Sequence, residues 1–98
     1  MIKRIVKMHF REDGVDTFLN DVFEPSKAAI RAFPGCRNME LLRYTGNRCV
    51  LFTLSIWDSQ FALDEYRRSE LFQNTWAKTK ALFAEKAEAW SVEVLDAP

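Results

Sequence analysis

Glycine and histidine are scarce in this chain. Three glycines in 98 residues are too few for a nucleotide-cradling loop, which needs several residues without a Cβ so that backbone amides can approach phosphate. One histidine and two cysteines make a zinc site within a single chain improbable. No Ser/His/Asp arrangement occurs, and no paired carboxylates at helical spacing face a common site. Hydride transfer, phosphoryl transfer and metal chemistry are therefore poor candidates, and no cofactor and no metal are expected. Charge of one sign is also missing: 14 Lys and Arg balance 14 Asp and Glu, with no block of like charge to attract nucleic acid or an anionic membrane. No apolar run approaches the roughly 18 residues of a membrane helix. The N-terminal MIKRIVKMHF alternates instead of forming the apolar centre of a signal peptide. The expectation is one complete, soluble, cytoplasmic domain over residues 1–98.

Aromatic side chains are abundant. Eight Phe, three Trp and two Tyr are many for the interior of so short a chain, so part of this apolar surface is expected to meet a second subunit.

Residues 2–10 alternate in the period of two that marks a strand, with Ile2, Val6, Met8 and Phe10 on one side and Lys3, Ile5, Lys7 and His9 on the other. Val15, Phe18, Leu19, Val22 and Phe23 then recur at helical spacing, resumed by Ala29, Ile30 and Phe33. Pro25 lacks an amide donor, which predicts a kink or a break there with Pro25 opening a second helix, and FPGC ends it. Residues 36–44 and 48–57 form two strand-like runs joined through TGNR. A two-residue turn at Gly46 and Asn47 would set Leu42 opposite Leu51, Glu40 opposite Thr53, Asn38 opposite Ser55 and Cys36 opposite Trp57. That register leaves Cys36 and Cys49 too far apart for a disulfide, and both thiols read as buried residues of a reduced compartment. Residues 59–68 and 70–86 read as helices capped by Ser59 and Ser69, and EAWSVEVL as a last strand.

The order strand, helix, strand, strand, helix, strand predicts an α+β ferredoxin-like sandwich, with a four-stranded antiparallel sheet covered by helices on one side. Both sheet faces carry apolar side chains. The economical solution is a homodimer whose sheets close on each other as an α/β barrel.

Phe72, Trp76, Thr79 and Phe83 follow one stripe of the second helix, with Leu71 and Leu82 beside it. Leu71, Phe72, Leu82 and Phe83 read as core. Tyr66 and Trp76 combine a flat face with a polar atom that wants a partner, and read as pocket wall. If the polar face of the hairpin lies under the helices, Trp57, Tyr66, Trp76, Thr53, Ser55, Asn38 and Glu40 would surround an aromatic pocket. If it lies in the dimer barrel, those polar groups are structural. His9, the only histidine, is a candidate general base, or else a surface or satisfied interior histidine with no catalytic role.

SIWDSQFALDEYRRSELFQNTW, together with the preceding FPGC, resembles the antibiotic biosynthesis monooxygenase family of dimeric α/β barrels. The shared pattern is a Gly before strand two and a strand-three Trp followed by an acidic residue and Ser. An aromatic, S-x-x-F and a bulky ring side chain complete it. The resemblance implies a homodimer with one cleft per subunit, sometimes using molecular oxygen on an electron-rich aromatic without metal or flavin. In that chemistry the substrate supplies the electrons while the protein deprotonates or holds it in a dry site.

The match to the family's functional residues is uneven. Trp57 corresponds to the strand Trp of the quinone-forming members, but Thr53 stands where they have Asn and Leu63 where they have Tyr. The haem-degrading members carry Trp at the position of Tyr66 and the iron-ligating His at the position of Trp76, and Trp cannot ligate iron. Haem breakdown and isomerisation therefore rank below two readings. One is a cofactor-independent monooxygenase acting with molecular oxygen on a small quinol-type or polyphenolic aromatic, with Trp57 and Tyr66 holding the ring and His9, Asn38 or Glu40 assisting proton removal. The other is a non-catalytic dimer that binds a small aromatic molecule.

Overall fold

The structure is a computed structural model that describes residues 1–98. Four strands, β1 (Ile2–Phe10), β2 (Cys36–Arg43), β3 (Val50–Trp57) and β4 (Phe83–Glu93), form one antiparallel sheet in the order β2-β3-β1-β4. Three helical segments complete the ferredoxin-like fold: α1 over residues 12–31, α2 (Gln60–Arg68) and α3 (Glu70–Lys80). The alternation in β1 sends Met8 and Phe10 beneath the helices, where they join Val15, Phe18, Val22 and Leu51 in the core.

Segment α1 does not break at Pro25. It begins as a 3-10 turn at Glu12–Gly14, becomes α-helical at Val15–Thr17, widens into a π-helical stretch at Phe18–Phe23 and returns to α-helix at Glu24–Arg31. The Glu24 amide bonds back to the Leu19 carbonyl, five residues earlier. This wider turn accommodates a ring that has no amide to offer and would crowd a regular turn. Pro25 lies in the first turn of Glu24–Arg31, as expected, but in a continuous helix.

The hairpin register differs from the expected one by one residue. Met39 faces Ser55, Leu41 faces Thr53 and Leu42 faces Phe52. The connection is longer than a two-residue turn: the Tyr44 amide bonds to the Val50 carbonyl at 2.9 Å, and the Asn47 side chain accepts from the Cys49 amide at 2.9 Å. Neither Gly46 nor Asn47 takes a positive φ. A bulge at Arg37 absorbs the offset, so that Cys36 does face Trp57. A shift of one exchanges the two faces of a strand. Asn38 and Glu40 therefore lie on the face away from the helices, and Met39 and Leu41 on the face beneath them.

The last helix is shorter than its apolar spacing suggests. It ends at Lys80, and β4 already starts at Phe83, so Phe83 belongs to the strand and pairs with Phe10. Arg11 secures this corner, its amide bonding to the Leu82 carbonyl and its guanidinium to the Ala81 carbonyl, at 2.9 and 2.8 Å. Both cysteines are free and half-buried, less enclosed than the sequence suggests.

Candidate active site

A cavity of about 290 Å³ lies between the sheet and the helices. Its floor is the helix-facing side of the sheet. Thr53, Ser55 and Trp57 reach it from alternate positions of β3, and Ala87 and Ala89 from β4. Val6 pairs with both Thr53 and Ala89, so two small neighbours leave space above the middle of the floor. The alternation of these alanines with Glu88 and Trp90 in KAEAW is the sequence signal for that gap.

Its wall is aromatic. Trp57 and Tyr66 stack with centroids 4.8 Å apart and planes 25° from parallel, and Phe33 meets the Tyr66 ring edge-on at 5.3 Å. Tyr66 in turn meets Phe72 at 5.2 Å, Phe72 stacks with Trp76 at 5.9 Å, and Trp76 meets Phe83 at 5.6 Å. Each contact lies in the range where ring quadrupoles attract. Together they form a continuous arc from the end of α1 to the start of β4.

Ser69 sets the bend in that arc. Its hydroxyl donates to the Tyr66 carbonyl at 2.6 Å and accepts from the Phe72 amide at 3.1 Å, closing α2 and opening α3 with one side chain. Ser59 caps α2 in the same manner through the Ala62 amide. Gly35 lets the start of β2 approach α2 closely. Its φ is +89°, and a Cβ there would lie 2.4 Å from that of Ala62, so both backbone angle and space require glycine.

Several polar lining groups are already engaged. The Trp57 indole donates to Ser55 Oγ at 2.9 Å, and the hydroxyls of Ser26 and Thr79 donate to carbonyls of their own helices. Trp57, only 1% exposed, is held by packing as much as by this bond. Tyr66 differs. Burial, reinforced by the nearby Cys36 thiol, pushes its phenol up to about 12, and no hydrogen bond contributes to that shift. At neutral pH its hydroxyl is a proton-bearing donor at the cavity wall.

Of the residues expected at a site, Trp57, Tyr66, Trp76, Thr53 and Ser55 line this cavity, and Asn38, Glu40 and His9 do not. Asn38 and Glu40 are exposed on the opposite face because of the register shift. His9 also alternates away from the helices and pairs there with Glu85 at 3.3 Å. Phe72, expected as core, lines the cavity, as do Arg4 and Arg67, which sequence reasoning missed. An arginine in the apolar parity of β1 was the available signal for Arg4. No His, Asp, Glu or Lys lines the cavity.

The architecture is thus a four-stranded antiparallel sheet with an aromatic cavity beneath its helices. The sequence profile described as antibiotic biosynthesis monooxygenase matches residues 1–78, and the chain belongs to that family. No curated protein matches it in sequence. Among solved structures, an antibiotic biosynthesis monooxygenase superposes with a TM-score of 0.89 at 16% identity, covering 98% of this chain and 100% of its own. A Mycobacterium tuberculosis protein gives 0.86 at 24% identity, over 98% of this chain and 96% of its own. SnoaB from Streptomyces nogalater, described as a cofactor-independent oxygenase, gives 0.85 at 16% identity, over 98% and 94%. At these identities the likeness establishes the shared fold.

Proposed function

We propose that this chain is a cofactor-independent monooxygenase that oxidises a small quinol-type aromatic with molecular oxygen. The observation that carries the reading is the half-buried Tyr66, a neutral phenol with its ring stacked on Trp57 in a cavity walled by aromatic side chains. Flat electron-rich rings fit such a wall, and the hydroxyl can donate to a ring oxygen as negative charge develops on it. Family membership and the likeness to a cofactor-independent oxygenase support the same class.

The chemistry asks little of protein side chains. A ring C–H of the ionised substrate reacts with O2. One oxygen stays on that carbon, and the other leaves as water with two protons. All four electrons come from the substrate, which ends as a hydroxyquinone. The lining offers no carboxylate, imidazole or amine as base, so His9, Asn38 and Glu40 have no part in this mechanism. The favoured substrate ionises readily, and the cavity holds it, excludes water and stabilises its anion.

The active form is read as a homodimer. Ile5, Phe52, Leu54 and Ile56 are only half-buried on the face opposite the cavity, with Trp90 and Val92 exposed beside them. A second sheet would cover that surface.

An oxygen electrode tests the activity. With hydroquinone or 1,4-dihydroxynaphthalene and no added cofactor, uptake should exceed the protein-free control and fall in Tyr66→Phe. Uptake equal to the control across a panel of quinols, with binding of the same compounds retained, would instead support a non-catalytic aromatic-binding dimer. Thr53 and Leu63, standing where quinone-forming relatives carry Asn and Tyr, favour that second reading.

A further inference from the structure

One end of the cavity carries two arginines. Arg4 is half-buried on the helix-facing side of β1, and Arg67 belongs to α2. Both line the cavity. Neither Arg4 nor Arg67 enters an ion pair. Arg4 is positioned from β4, its Nη1 donating to Ser91 Oγ at 2.9 Å. That contact orients the guanidinium without neutralising it.

The two charges act on each other. Burial pulls the Arg4 guanidinium below its ordinary value, Arg67 pulls in the same direction, and Asp64 opposes both. Asp64 stands one turn before Arg67 on α2, accepts a hydrogen bond from Gln60 at 2.9 Å and forms no ion pair with either arginine. The cavity lining thus carries two cations and no carboxylate, in a chain whose formal net charge is zero.

Such an arrangement does not favour folding. A partly desolvated guanidinium without an ion-pair partner is unfavourable, and a second one nearby adds repulsion. An anion arriving between them reverses both effects. The planar fork of arginine matches the two oxygens of a carboxylate, and a carboxylate leaves the rest of the molecule free to lie along the aromatic arc. The cavity of about 290 Å³ is at the lower edge of the roughly 300–1,000 Å³ typical of ligand sites, which suits a body of one or two fused rings.

We propose that Arg4 and Arg67 form an anion site and that the substrate of this chain is an aromatic carboxylate, its ring against Tyr66 and Trp76 and its acid group between the two guanidiniums. This rests on the reading of the cavity as an aromatic site and names the substituent that site selects.

Isothermal titration calorimetry of the full chain with 2-naphthoate and the neutral 2-naphthamide tests it. Naphthoate should bind about tenfold or more tightly than the amide at low salt, as a charge-assisted pair in a partly buried site implies. The ratio should shrink with added salt. It should collapse toward one in Arg4→Gln and in Arg67→Gln, and persist in Arg68→Gln, whose exposed side chain pairs with Glu65 outside the cavity. Should Arg4→Gln fail to fold by circular dichroism, the exposed Arg67 carries the test alone.

Equal affinities for acid and amide would overturn the anion site and leave the aromatic cavity standing. A preference that survives both Gln variants would overturn its assignment to these arginines. Tighter binding of 1-naphthyl phosphate than of naphthoate would overturn the carboxylate in favour of a phosphate. Failure of both acid and amide to bind would remove the aromatic-cavity reading together with this one.

Discussion

The two faces of the sheet are built from neighbouring residues of the same strands, yet their surroundings differ. Beneath the helices, Met8, Phe10, Met39, Leu51 and Trp57 are buried, and the space that remains is the cavity. On the other face the residues one step along, Ile5, Phe52, Leu54 and Ile56, stay half-exposed, and Trp90 is 44% exposed. Both faces are apolar. One buries its apolar surface within the chain and encloses the cavity, while the other leaves its apolar surface half-exposed. Hydrophobicity alone therefore does not set the cavity apart; its small floor residues do.

Adding volume at the seam of the helix-facing side should have the largest effect. Gly35→Val forces a branched side chain into a positive φ and against Ala62. Urea denaturation should show a loss of about 3 kcal/mol or more, or no folded protein. A loss below 1 kcal/mol would mean that β2 and α2 can separate at little cost.

Within the cavity, Tyr66→Phe removes a single oxygen. We expect kcat for quinol oxidation to drop about 100-fold, the cost of one donor to a developing oxyanion, with stability changed by less than about 1 kcal/mol. An unchanged kcat would confine Tyr66 to packing.

On the open face, Leu54→Lys places a charge where a second sheet is expected. Association measured by sedimentation should weaken about 30-fold while the monomer keeps its fold. A variant that remains as tightly associated as the parent would move the interface elsewhere.

The smallest effect is in alkaline titration. Absorbance at 295 nm, as the difference between the parent chain and Tyr66→Phe, should show a phenol with a midpoint of about 12. Its folded value lies above the ordinary 10, so the folded state holds the proton when the unfolded state has lost it. The stabilisation is present in full below pH 10 and is lost as pH rises toward 12. Tyr66→Phe should flatten that part of the stability profile.

Local patterns carried much of the fold. Alternation identified β1, and Ser59 and Ser69 announced their helices because a cap depends only on residues within one turn. Residues 70–86, by contrast, continue a helical spacing beyond the point where the helix stops, because β4 gains a ladder with β1 that no single-segment pattern registers. The hairpin misled for a related reason. Gly46 and Asn47 suit a tight turn, but the packing of Met39 and Leu41 under the helices selects the longer loop, and Asn38 and Glu40 turn away with that choice.

By itself the sequence determined the strand and helix order, the caps, the family pattern and the surplus of aromatic rings, all properties of neighbours along the chain. Tertiary structure alone decided the register of the hairpin, the gap above Ala87 and Ala89, and the meeting of Arg4 with Arg67. Each depends on segments that are not neighbours along the chain closing on one another, from the two strands of the hairpin to β1 and β4. Which side chain faces which is settled only when the whole sheet is paired and the helices are laid across it.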